Sequence, residues 1–263
     1  MKSILNATQL NFGYDSEQLL LDKFNFAIEA ESFTALIGPN GSGKTTVFNL
    51  LTGYLKPLSG TISLRDKSLK HLSLRKRAKV MAVVPQHINS ALPYTVYQLV
   101  AMGRISRLSR FAVLSKDDKH QIEYAMQVMD IATLREQQFN CLSGGEQQRT
   151  VIAAALAQEP EVLLLDEPTS SLDLGHSNSL MRLLQQLNHD KKLTIMIISH
   201  DIQLAAHYCQ RLTLMKDGKI IADGTPEAVI KPEYIMQAYN EPVNIIRDSN
   251  GNLLLSPNFG EKN

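Results

Sequence analysis

Gly38-Pro39-Asn40-Gly41-Ser42-Gly43-Lys44-Thr45 is the stretch on which the reading of this chain turns, because it fills every fixed position of G-x-x-x-x-G-K-[ST]. An apolar run, Phe33–Ile37, precedes it, and a helical pattern through Val47, Leu50 and Leu51 follows. Strand, glycine-rich loop and helix are the context a phosphate-binding loop needs. The glycines let the backbone curl round an anion without Cβ clashes, and the helix start offers unpaired N–H groups and a positive dipole end. Lys44 supplies a point charge for β- and γ-phosphates, and the Thr45 hydroxyl a ligand for Mg²⁺, with Thr46 beside it.

A second glycine sequence, Leu142-Ser143-Gly144-Gly145-Glu146-Gln147, opens an alanine-rich helix about a hundred residues later. It too presents a helix N-terminus to an anion. Two half-sites in one chain have to be explained by one nucleotide. The simplest arrangement clamps ATP between two copies of the chain.

Working outward, four short apolar runs end in chemically active residues. Phe33–Ile37 ends in the phosphate loop, Val80–Val84 in Pro85-Gln86, Val162–Leu165 in Asp166-Glu167, and Leu193–Ile198 in Ser199-His200. Unbroken apolar strands belong to a sheet covered on both faces, and ligands of such sheets gather outside the carboxyl ends of the strands. The fold class expected is therefore α/β with a mostly parallel sheet. Leu5–Leu10, Phe24–Ile28 and a hairpin-like Gly60–Leu64 predict a small N-terminal antiparallel layer. Leu212–Met215 and Lys219–Ala222, joined by Asp217-Gly218, predict a two-strand ribbon. Residues 87–157 show helical periodicity, at Val96, Leu99 and Val100 and again at Ile122, Ala125, Met126 and Met129, and read as a helical subdomain inserted into the core. Within it Gly103–Ser115, with three arginines and three serines, reads as a mobile connector.

Asp166, after four buried aliphatics, fits a support for Mg²⁺ through water, and Glu167 fits a carboxylate that orients the attacking water or takes its proton. Gln86 can coordinate Mg²⁺ or bond that water. His200 is a neutral donor whose pKa is easily moved by its neighbours, and Tyr14 offers a ring face for adenine. His71, His87, His120, His176, His189 and His207 receive no site role.

Composition permits all this. The 263 residues are 44% hydrophobic, and 27 basic against 26 acidic side chains leave a net charge of +1, which implies no nucleic-acid partner. Cys141 and Cys209 lack metal-ligand spacing and read as reduced thiols. No run of 18 apolar residues occurs and the start has no signal-peptide core, so a soluble protein is expected whose membrane role needs a partner.

By these residues and their spacing, the chain resembles the ATP-binding subunit of an ABC transporter over nearly its whole length. Leu142–Arg149 is similar to the family's signature sequence. The resemblance makes Tyr14 the A-loop aromatic, Gly38–Thr45 the Walker A loop, Gln86 the Q-loop residue and Asp166 the end of the Walker B strand. It makes Glu167 the catalytic carboxylate, Ser171-Leu172-Asp173 the D-loop and His200 the switch histidine. It implies a P-loop ATPase domain over residues 1–241, a short tail over 242–263, and a homodimer in which Ser143, Gly144, Gly145, Glu146 and Asp173 meet the ATP of the facing subunit. Leu51–Pro57, Thr95–Arg104, Ser199–Ala206 and Gly224–Val229 resemble importers of iron–siderophore, haem or cobalamin type. Implied partners are multi-span permease subunits, docked at His87–Gln98, and indirectly an extracytoplasmic substrate-binding protein. The implied location is peripheral, on the cytoplasmic side of the inner membrane. A soluble ABC-type ATPase without a permease, a motor for a metal-ion importer and one for a split exporter are the alternatives.

Overall fold

The computed structural model describes residues 2–15, 18–86, 93–109, 113–249, 251 and 253–257. Along the chain run β1 (Ser3–Phe12), β2 (Leu21–Glu29), β3 (Phe33–Ile37), α1 (Lys44–Thr52), β4 (Ser59–Leu64), β5 (Lys67–Ser68), α2 (Leu74–Ala78) and β6 (Met81–Val84). Then come α3 (Val96–Met102), α4 (Lys116–Val128), α5 (Gly144–Ala157), β7 (Val162–Asp166), α6 (Leu174–Lys191), β8 (Thr194–Ser199) and α7 (Ile202–Tyr208). The last are β9 (Arg211–Lys216), β10 (Lys219–Gly224), α8 (Pro226–Val229), α9 (Pro232–Tyr239), β11 (Val243–Arg247) and β12 (Leu253–Pro257). Contacts divide them into two compact units: one drawn from residues up to Leu69 and from Met196 onward, the other Lys70–Ile195. The boundary falls inside β8.

In the first unit β1 and β2 pair antiparallel, as do β1 and β4, giving a meander in the order β2-β1-β4-β5. Gly60–Leu64 is thus one strand of that layer, not a hairpin of its own. The other sheet of this unit runs β10-β9-β3-β8. Strands β3 and β9 are parallel, while β9 and β10 form the antiparallel ribbon expected from Asp217-Gly218. Both turn residues have positive φ, 48° and 72°, which matches the twist of a tight hairpin. Gly218 is required twice over, since a Cβ there would stand 1.7 Å from the Leu20 carbonyl oxygen. Strand β3 is buried at every position, as its unbroken apolar run predicts. Past Tyr239 the chain, read from sequence as a short tail, carries the antiparallel pair β11 and β12. It packs against α9 and α7, because Ile245 and Leu255 give this stretch apolar positions to cover.

In the second unit β6 and β7 are parallel, with Val84 opposite Leu165, and the start of β8 continues the order β6-β7-β8. All five residues of β7 are buried; each such aliphatic side chain stabilises the fold by about 1.5–3 kcal/mol. Helices α3, α4 and α5 pack on one another. All three begin with a capping box, Thr95 with Gln98, Ser115 with Asp118, and Ser143 with Glu146.

The connector reading of Gly103–Ser115 does not hold where the residues are described. Residues Gly103–Ser106 continue α3 as a 3₁₀ turn, and Arg104 is among the most buried charged side chains described. Its guanidinium bonds Asp118 at the start of α4 (2.8 Å), and Ala157 O (2.7 Å) and Glu159 (2.6 Å) at the end of α5. Arg107 adds bonds to Gln158 O and Glu159 O, both 2.8 Å. Arg104 and Arg107, two of the three arginines of that stretch, bracket these helix ends. Desolvation is tolerated because carboxylates and carbonyls meet nearly every donor.

Candidate functional site

The first unit carries the phosphate loop. Gly38, Gly41 and Gly43 have φ of 151°, 81° and 99°, a backbone that L side chains rarely adopt. At Gly38 a Cβ would also stand 2.2 Å from Met215 O on β9, so the loop is pressed against the neighbouring strand. Gly43 caps α1 in the left-handed conformation with no side-chain cap bond. Lys44 is buried, and its ammonium donates to Gly38 O (2.8 Å) and Pro39 O (2.9 Å). Ser42 Oγ is buried with no hydrogen-bond partner among the described residues, and the space beyond Gly41 is open. Thr45 is exposed, whereas Thr46 is buried. The Tyr14 hydroxyl shares a 2.9 Å hydrogen bond with Thr46 Oγ1, and its ring stands edge-on to Phe12, centroids 5.1 Å apart. That leaves the Tyr14 ring 71% exposed, fixed in place with its outer face open.

His200 follows β8, the strand beside β3. Its position is set by a tight turn: Asp201 N donates to Ser199 Oγ (3.1 Å), and Asp201 Oδ1 caps α7 by accepting from Leu204 N (2.8 Å). The histidine is exposed at the strand end.

The second unit carries the carboxylates and the second glycine sequence. Asp166 is buried at the end of β7, and Glu167 comes next with φ 48°. For a non-glycine residue outside a turn pair this is strained backbone, of order 1–3 kcal/mol, of the kind held at functional sites. Gln86, after β6, donates from Nε2 to Glu167 Oε2 at 2.7 Å. The structure thus brings Gln86, Asp166 and Glu167 to one end of two paired strands. Of the docking stretch His87–Gln98, residues 87–92 lie outside the described residues.

At the second glycine sequence the helix N-terminus is not waiting with empty donors. Ser143 N (2.8 Å) and Ser143 Oγ (2.6 Å) both donate to Glu146 Oε2, and Glu146 N donates back to Ser143 Oγ. These bonds from Ser143 hold the Glu146 carboxyl below its ordinary range. The sequence reading left that exchange out. Gly144 faces open space. Nearby, Asp173 caps α6 by accepting from His176 N (2.8 Å) and meets the His176 ring at Nδ1 (2.8 Å), which lowers its pKa. His176 received no role from sequence; an Asp at a helix cap with His three residues on was the available signal.

The residues fit the groups implied for them. An orphaned hydroxyl on Ser42, the buried Lys44 ammonium and the open side of Gly41 suit a polyphosphate. Thr45, Gln86 and Asp166 offer the hard oxygen donors Mg²⁺ takes. Among the described residues no cluster of three or more His, Cys, Asp or Glu stands ready to hold a metal. No helix among the described residues is long and apolar enough to cross a membrane.

Residues 21–170 match the family model described as ABC transporter. The chain is 35% identical to the iron(3+)-hydroxamate import ATP-binding protein FhuC of Bacillus subtilis (strain 168), over 94% of this chain and 92% of that protein. It is 36% identical to the hemin import ATP-binding protein HmuV of Escherichia coli O157:H7, over 87% and 90%. Among solved structures it resembles a metal-chelate type ABC transporter in an inward-facing conformation (TM-score 0.84, 25% identity, 98% of both chains). It also resembles the dimeric bacterial ABC transporter cassette MJ0796 (TM-score 0.74, 26% identity, 84% of this chain and 98% of that one). By its matched domain and its relatives over nearly full length, this chain belongs to the ABC transporter family, as one of its ATP-hydrolysing subunits.

Proposed function

We propose that the chain powers an importer of iron chelates, siderophore- or haem-bound, by closing as a homodimer around two ATP molecules. The observation that carries the ATP reading is the cradle at Lys44: a buried ammonium held by backbone carbonyls at a helix start, beside a glycine, Gly41, that faces open space. ATP brings about four negative charges, so two copies can close only where such groups neutralise them. Tyr14 stacks on adenine, Gly38–Thr46 wrap the phosphates, and Ser143, Gly144, Gly145, Glu146 and Asp173 face the ATP of the partner copy. Glu167 orients water, His200 reaches the γ-phosphate, and Gln86 fixes the Glu167 carboxylate. Thr45, Gln86 and Asp166 hold Mg²⁺, which supplies neutralisation of phosphate charge when bound.

The iron-chelate assignment rests on the names of the relatives, FhuC and HmuV, matched over nearly the whole chain. In this reading the protein works on the cytoplasmic face of the inner membrane, beneath multi-span permease subunits supplied by a binding protein. The chain carries no cargo site of its own in this reading. Deleting the gene should abolish uptake of one class of iron chelate under iron limitation, with uptake restored by the intact gene and not by its Glu167→Gln form. Unchanged uptake of ferric hydroxamates, other siderophores and haem alike would remove the import reading, and purification as a soluble complex without a membrane partner would favour a permease-free ATPase.

A further inference from the structure

The sequence put His176 aside, yet it sits where two of the assigned segments of the second unit meet. Its ring Nδ1 is 2.8 Å from Asp173 Oδ2, while its backbone N–H donates to Asp173 Oδ1 at 2.8 Å. Both oxygens of the D-loop carboxylate are therefore engaged by one residue, which fixes the rotamer of each. On the other edge, a Cβ built on Gly145 would stand 3.9 Å from His176 Cδ2 and 3.5 Å from Leu172 Cδ2. The ring thus lies between the D-loop and the start of α5.

We propose that His176 is a positioning residue of the ATP clamp. It ties Asp173 to Gly145 so that the D-loop and the signature helix tip present one surface to the facing nucleotide. The inference rests on the homodimer reading above.

The test uses the full chain carrying Glu167→Gln, which stalls turnover, alone and combined with His176→Ala or His176→Asn. The dimerisation constant with Mg-ATP is measured by sedimentation at one pH. His176→Ala should weaken dimerisation about three- to fivefold, the scale of one exposed polar pair, while His176→Asn, which keeps a donor near the place of Nδ1, should stay within about twofold of the parent. An Ala variant that dimerises as tightly as the parent, or an Asn variant as weak as the Ala variant, overturns the role of His176 alone. A parent that stays monomeric with ATP overturns the clamp reading itself, and this inference with it.

Discussion

Gln86 Nε2 lies 2.7 Å from Glu167 Oε2, so the loop after β6 holds the carboxylate that follows β7. The two strands are parallel neighbours, with Val84 opposite Leu165, which is why residues 81 positions apart meet at their ends. The bond fixes one oxygen of a carboxylate whose own backbone is held at φ 48°. Orientation of this kind is what a base needs before it can act on water.

Glu167→Gln preserves the shape and removes the acceptor charge. Phosphate release from Mg-ATP should fall by about 10²–10⁴-fold, while ATP still binds and a stable dimer accumulates on size-exclusion chromatography. A rate within threefold of the parent removes Glu167 from the chemistry.

Lys44→Ala empties the cradle formed with Gly38 O and Pro39 O. Affinity for ATP, read by fluorescence of a labelled nucleotide, should drop at least about tenfold, since a charge-assisted contact to phosphate is worth about 1.5–3 kcal/mol. Thermal stability without nucleotide should change far less.

Tyr14 separates two explanations of itself. Its hydroxyl meets Thr46 Oγ1 while its ring face is exposed. If the ring holds adenine, Tyr14→Phe should bind ATP within about twofold, and Tyr14→Ala should lose about tenfold, in line with about 1–3 kcal/mol per stacked base. Equal loss in both variants would assign the role to the hydroxyl instead.

Arg104→Met tests the bracket of the second unit. It leaves Asp118 buried without its guanidinium, and breaking such a pair costs about 3–5 kcal/mol, measurable as a lower denaturant midpoint. The Asp118 carboxyl is held down at about 2 against an ordinary 3.8, first by the Ser115 hydroxyl and N–H and then by Arg104. A carboxyl lowered on folding stabilises the fold above its unfolded pKa and loses that contribution as pH falls through the folded one. The difference in stability between protein and variant should therefore be full above about pH 4 and shrink between about pH 4 and pH 2. A difference that persists at pH 2 would place the stabilisation outside the Arg104–Asp118 pair.

How legible was the molecule? The buried strands β3, β7 and β8 were read to within a residue or two because unbroken aliphatic runs have one stable environment, a sheet covered on both faces. The phosphate loop was legible because three closely spaced glycines at positive φ have few other uses. The arginine-rich stretch from Gly103 was misread because burial of a charge depends on partners far along the chain: Arg104 meets Glu159, 55 residues away. His176 was passed over for the same reason, since its edge against Gly145 exists only once α6 and α5 have packed.

Local chemistry, then, was set by the chain itself: which residues can cradle phosphate, cap a helix or end a strand follows from side-chain type and spacing over a few positions. What folding alone decided was which polar groups are already engaged. Ser143 gives its donors to Glu146, Gln86 gives its amide to Glu167, and Arg104 is enclosed by three helix ends. Hydrogen bonds and ion pairs are short-ranged and directional, so their partners are chosen by the packing of distant segments and not by neighbours in sequence.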